Sequence, residues 1–210
     1  MSQKDKLPRF FEKENIGYGY EAIQDFYLSW TMRSAQLEYE NVNIRLHEYA
    51  KKMIYALLMG SNNDHLDFIL PQAMPADFEL LKVTVHRQHF GYIDVVADLE
   101  VRLNGEDVRF ILNIENKWYG DISEHQLPKA KKAIEDHYKA ENVRLLHLVI
   151  FCDYEKIKGG VQDNLNKQRC QEHGYTLLTI CDLQEFMGIE PKDASSETGN
   201  ALFDEYWVYL

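Results

Sequence analysis

Two alternating segments joined by Asn104-Gly105 constrain this chain more than any other feature. Residues 92–103 and 106–118 alternate apolar and polar side chains around the strongest short-range hairpin signal. A two-residue type I′ turn makes Leu103 face Glu106, and counting outward fixes every other pair. Ile93, Val95, Ala97, Leu99 and Val101 then oppose Asn116, Ile114, Leu112, Phe110 and Val108, which gathers the apolar residues on one face. On the other face Glu100 meets Arg109 and Arg102 meets Asp107, two pairs of opposite charge.

The same count brings Asp94 opposite Glu115, two like charges. They fall at a non-hydrogen-bonded position, where Cα atoms approach to about 4.5 Å. Carboxylates that close repel unless a cation lies between them or one holds a proton. Lys117 emerges on the same face two residues beyond Glu115, so Asp, Glu and Lys cluster at the end of a hairpin whose other charges are paired. Solvated acids neutralised by Lys117 are the plain reading. Two carboxylates with a main-chain carbonyl, such as that of Asn116, suit a hard cation like Mg²⁺ or Mn²⁺. Lys117 could then orient a water on that ion or stabilise charge on a phosphate. The cluster is expected at an exposed edge.

Around the hairpin the period changes. Residues 20–35 and 41–59 carry apolar positions at three- and four-residue spacing, and Gly60-Ser61-Asn62-Asn63 ends the second helix. Pro71 and Pro75 keep the next stretch irregular before a first strand at 81–89. A helix over 124–140, a buried strand over 143–152, a helix over 161–173, a short strand over 175–180 and a helix over 182–188 follow. Residues 1 to about 18 form a polar arm. Residues 189–200 are expected to be flexible, while the apolar terminus LFDEYWVYL packs back on the body.

The run IENKWYGDISEHQL over residues 114–127, with Ile93-Asp94 before it, resembles the PD-(D/E)xK nuclease superfamily, in the branch where an I-E-N-K strand is followed by Gln-Leu opening a helix. The resemblance covers about residues 41–152. It implies an α/β fold, a restriction-endonuclease-like αβββαβ core with a mixed central sheet flanked by helices. The chain then reads as one nuclease-like domain over 1–210: an N-terminal arm and helix (1–40), the core (41–152), and a C-terminal helix, strand and tail (153–210). The activity it implies is endonuclease-type hydrolysis of phosphodiester bonds, in DNA by expectation, through a water activated by Mg²⁺ or Mn²⁺. Asp94, Glu115 and Asn116 would hold the metal, Lys117 would be the catalytic lysine, and Gln126 the helix glutamine beside them. Members often add an acid from the helix before the sheet; Glu48 is the candidate, with Glu38 and Glu40 as competitors. Relatives often carry Arg-Glu shortly before Ile-Asp, where this chain has Arg87-Gln88. A catalytically inactive nuclease fold that binds a protein or nucleic acid partner is the alternative.

Composition narrows the setting. The net charge of −11, from 34 acidic and 23 basic residues, argues against a general electrostatic grip on nucleic acid. A second copy or another protein could supply part of such a surface. Cys152, Cys170 and Cys181 lack the spacing of a zinc site or disulfide framework, and no apolar run reaches the roughly 18 residues of a membrane span, so a cytoplasmic protein is expected. Other signals are weaker. His47-Glu48 fails as HExxH because Lys51 stands at the final position. Gly17 to Ala22 fits GxGxxA without a strand before it. Alternation sends His86 and His89 to opposite faces, and Lys129, Lys131 and Lys132 read first as a solvated helix face.

Overall fold

The computed structural model describes residues 20–61, 73–90, 92–103, 105–118 and 120–209. The N-terminal arm, the glycines of the GxGxxA segment and Asn104 lie outside them.

Strand β1 (Glu79–His89), β2 (Ile93–Leu103) and β3 (Glu106–Lys117) form an antiparallel meander. The register counted from the turn holds over nine pairs, from Leu103 opposite Glu106 to Val95 opposite Ile114. Gly105 has φ +79°, the left-handed conformation that a two-residue type I′ turn demands. Strands β4 (Arg144–Phe151) and β5 (Thr176–Thr179) add in parallel, so the five strands lie in chain order in one mixed sheet. A parallel neighbour needs a crossover, supplied by α3 (Gln126–Tyr138) and α4 (Val161–His173).

The other helices are α1 (Tyr20–Ser34), α2 (Ile44–Gly60), α5 (Ile180–Met187) and α6 (Ala201–Trp207). This is a mixed α/β fold with a helix, three strands, a helix and a strand in succession. The sheet separates two apolar regions. Val95, Ala97, Leu99, Leu112, Ile114, Leu148 and Ile150 pack with Leu28, Met53, Leu57, Leu183 and Trp207 on one side. Val96 and Ile111 pack with Ala130 and Ile134, and Val149 and Phe151 with Leu127 and Cys170, on the other. Among the described residues no helix is long and apolar enough to cross a membrane.

Several expectations change in detail. The terminal segment does pack back: Trp207 Nε1 donates to Thr31 Oγ1 at 2.8 Å, and Tyr206 stacks on Tyr27 with ring centroids 4.1 Å apart. The segment before it is not a loose tail. Lys192 N donates to the Val208 carbonyl at 2.7 Å, Glu190 N to Ser196 Oγ at 2.8 Å, and Ile189 and Ser196 are buried. Arg102 meets Asp107 as counted, at 2.7 Å. Arg109 instead forks diagonally onto Asp98 with two bonds of 2.8 Å, and Glu100 turns to Lys82 at 3.2 Å. A guanidinium takes the neighbour offering the bidentate fit, and register alone does not fix that choice.

Candidate active site

The site lies where the β2–β3 ladder stops. One step past Val95–Ile114, Asn116 N would in a continued ladder serve the Ile93 carbonyl; it donates instead to Asp94 Oδ2 at 2.9 Å. The strands part there, and side chains from both faces of the sheet meet in the opening.

On the α3 face stand Glu115, Lys117 and Gln126. Glu115 is 1% exposed and Lys117 7%, which corrects the expected exposed edge: α3 covers this end of β3. Lys117 Nζ lies 2.6 Å from Glu115 Oε1, and Gln126 Nε2 donates to the same oxygen. Glu115 Oε2 is buried without a hydrogen-bond partner. Burial first, then the charge of Asp94, pushes Glu115 up from 4.5 to about 9, against the pull of Lys117. Burial opposes the charge on Lys117, yet Glu115 holds its ammonium above the ordinary value. The two groups titrate as a coupled pair across this contact, with the ammonium of Lys117 retained.

Gln126 is held by a polar chain through the core. Asn113 Nδ2 lies 2.8 Å from Tyr175 Oη and 3.0 Å from His147 Nδ1, and Tyr175 Oη donates to the Leu127 carbonyl at 3.1 Å. This chain fixes the first turn of α3 against β3. Burial keeps His147 low, at about 4, so its ring is neutral at neutral pH.

On the opposite face Asn116 reaches α1. Its Nδ2 donates to Asp25 Oδ1, while its Oδ1 is buried and unpartnered. Asp25 is 3% exposed, and burial followed by the charge of Asp94 pushes it up from 3.8 to about 7. Gln88 Nε2 spans the gap, 3.1 Å from Asp94 Oδ1 and 3.4 Å from Asp25 Oδ2. Glu21, one turn before Asp25, accepts from Trp118 N at 3.4 Å.

The fold therefore brings Asp94, Glu115, Asn116, Lys117 and Gln126 together. Glu48, half-buried on α2, makes no hydrogen bond or ion pair with them; nor do Glu38 and Glu40, which lie in and just after the 3₁₀ turn following α1. The helix acid in contact is Asp25, because α1 lies across β1, β2 and β3 whereas α2 packs chiefly on α1 and α5. Sequence reasoning missed Asp25, and marked Gln88 only as standing where relatives carry Glu. A signal for Asp25 existed: Gln24, Asp25, Ser29 and Ser34 leave α1 no uniformly apolar face, and all four are buried.

The discounted groups have ordinary partners. His47 is buried with its Nε2 3.1 Å from the Ala35 carbonyl, and Lys131 bonds the His173 carbonyl at 2.9 Å. Lys129 sits over the Tyr92 ring, 3.9 Å from its centroid. His86 and His89 do not diverge: their rings stack 5.0 Å apart, because Gln88 between them has φ +51° and breaks the alternation. The three cysteines are free thiols.

Among the described residues no group of three or more His, Cys, Asp or Glu side chains is arranged as a ready metal cage. The donor set still suits a hard cation: carboxyls raised by burial and then by the charge of Asp94 at Glu115 and Asp25, with buried oxygens of Glu115 and Asn116 lacking a partner. No protein-family model, no curated protein and no solved structure matches this chain.

Proposed function

We propose that this chain is a Mg²⁺- or Mn²⁺-dependent nuclease of the PD-(D/E)xK kind, hydrolysing phosphodiester bonds with DNA as the expected substrate. The observation that carries the reading is Glu115: a buried carboxyl with one oxygen unpartnered, facing Asp94, with Lys117 and Gln126 both on its other oxygen. A structural ion pair gains nothing from that arrangement, since the extra carboxylate and the orphaned oxygen both cost stability.

Asp94, Glu115 and Asn116 would hold the cation. When bound, it supplies Lewis acidity toward a phosphoryl oxygen and lowers the pKa of a water. Gln126 keeps the Glu115 carboxyl oriented. Lys117 holds a positive charge in a water-poor setting, where it stabilises negative charge developing on phosphorus more strongly than it would in bulk water. Lys129, on Tyr92 at the outer side of α3, is an exposed cation for the flanking backbone.

The alternative, a nuclease fold that binds without cutting, draws support from Gln88, whose amide holds Asp25 and Asp94 together with no ion. The test is cleavage of single- and double-stranded DNA and RNA with Mg²⁺ or Mn²⁺ against EDTA, for wild type, Asp94→Asn and Lys117→Met. Metal-dependent cutting that both substitutions reduce by about 10²-fold or more supports the nuclease reading. No cutting by wild type, with no calorimetric heat from Mn²⁺, overturns it in favour of the binding protein.

A further inference from the structure

Gln88 carries a backbone cost that calls for an explanation. Its φ of +51° lies in the left-handed region, which non-glycine residues other than Asn, Asp and His rarely occupy and which costs roughly 1 kcal/mol or more. Phe90, two residues on, shares the left-handed conformation with φ +52°. Its neighbours Arg87 and His89 pair regularly with Val95 and Ile93, so Gln88 stands on the β1 edge directly across from Asp94. Strain of this sort persists where the surroundings impose it, and functional sites are where it concentrates.

The kink aims one amide at two carboxylates from different elements, Asp94 of β2 and Asp25 of α1. Their four oxygens divide evenly between two residues. Asn116 serves Asp94 Oδ2 through its main-chain N–H and Asp25 Oδ1 through its side chain; Gln88 serves Asp94 Oδ1 and Asp25 Oδ2 through its two N–H groups. Asn116 is fully buried within β3 and cannot leave. Gln88 is exposed, and among the described residues these two are the hydrogen bonds of its side chain.

We propose that the Gln88 amide is an internal stand-in for a cation: a latch that holds Asp25 and Asp94 together in the metal-free protein and leaves when a divalent ion enters. This rests on the metal reading above. A neutral donor offsets the repulsion between the two acids less than a full charge does, so the exchange is favourable once an ion is available. Before Asp94 Oδ1 can join a coordination sphere, the amide must release it. Gln88 is thus a positioning residue that weakens metal binding while stabilising the empty site.

Titration with Mn²⁺ by calorimetry, on wild type, Gln88→Ala, Gln88→Gly and Gln88→Glu, tests the latch. Gln88→Ala is expected to bind Mn²⁺ about tenfold tighter than wild type, the weight of one hydrogen bond to a charged group. Gln88→Gly, which also relieves the backbone, should show the same gain, and Gln88→Glu a larger one. In EDTA the Tm of Gln88→Ala should fall below that of wild type, and the gap should close when Mn²⁺ saturates both proteins. A purely structural role would leave the gap equal with and without metal. Wild-type binding of Mn²⁺ with Gln88→Ala unchanged or weaker overturns the latch and leaves the nuclease reading standing. If neither wild type nor any variant binds Mn²⁺, the metal reading fails and takes the latch with it.

Discussion

The two ends of the β2–β3 hairpin are made of the same two strands and similar residues, yet they obey opposite rules. At the turn end, Arg102 lies between Asp107 at 2.7 Å and Glu79 at 2.9 Å, all three side chains are well exposed, and solvent screens the charges. At the open end, buried Lys117 contacts Glu115 on one face of the sheet while Asp94 and Asp25 share the amides of Asn116 and Gln88 on the other, with acids in excess. The turn end supports the fold. The open end draws on that support, since like charges in low dielectric persist only where the rest of the structure enforces them.

The widest separation between the ends should come from removing one charge at each. Above about pH 9, where Glu115 is ionised, Lys117→Met leaves its carboxylate with no cation in contact and is expected to destabilise the metal-free protein by about 3–5 kcal/mol, as for other broken buried pairs, while Arg102→Ala should cost no more than about 1 kcal/mol. Urea unfolding of both variants in EDTA reads the contrast. Equal effects would show that the Glu115–Lys117 pair is solvated in solution.

The second contrast is in pH. Asp25 rises from 3.8 to about 7 and Glu115 from 4.5 to about 9 on folding, so in that interval the folded protein holds more protons than the unfolded chain. Below about pH 6.5 the lowered His147 titrates with the opposite sign, so stability without metal should fall clearly as pH rises from about 6.5 to about 9. Thermal unfolding in EDTA should show the slope in wild type and a shallower one in Asp25→Asn and Glu115→Gln. Arg102→Ala, at the solvated end, should keep the wild-type slope. A rise in stability over the same range in wild type would contradict the assigned burial.

A third comparison separates scaffold from site. Tyr175→Phe removes the donor to the Leu127 carbonyl and leaves Asn113 one partner short, for a cost of about 1–3 kcal/mol. Because α3 carries Gln126, the metal-dependent cleavage proposed above should fall as well. Gly105→Ala meets no atom within 4 Å and pays only for its φ of +79°, about 1 kcal/mol, without touching the site. Activity lost in Gly105→Ala at temperatures where it stays folded would mean that the two ends are coupled through the ladder.

Much of this was legible in the residues because the relevant signals are local. Asn104-Gly105 and strict alternation set the register, and register alone brought Asp94 to Glu115 and Lys117. The Gly60 helix end and the buried run before Cys152 gave the order of helices and strands to within a few residues. What stayed hidden depends on distant segments. Asp25 and Asn116 are 91 residues apart and Asp25 and Gln88 are 63 apart; no periodicity connects such positions. The choice of α1 over α2 as the helix on the sheet likewise rests on how their faces pack, and both helices have the apolar spacing to do so.

The sequence by itself determined the secondary elements, the hairpin pairing and the Asp94, Glu115, Lys117 constellation, because hydrogen-bond geometry and side-chain periodicity act over a few residues. Only the tertiary structure decided that the strands part at Asp94, that the cluster is buried, that α1 contributes Asp25, and that Gln88 bends into a left-handed conformation to reach two acids. Those outcomes are set by packing and by electrostatics in low dielectric, which depend on everything brought near a group and not on its neighbours in the chain.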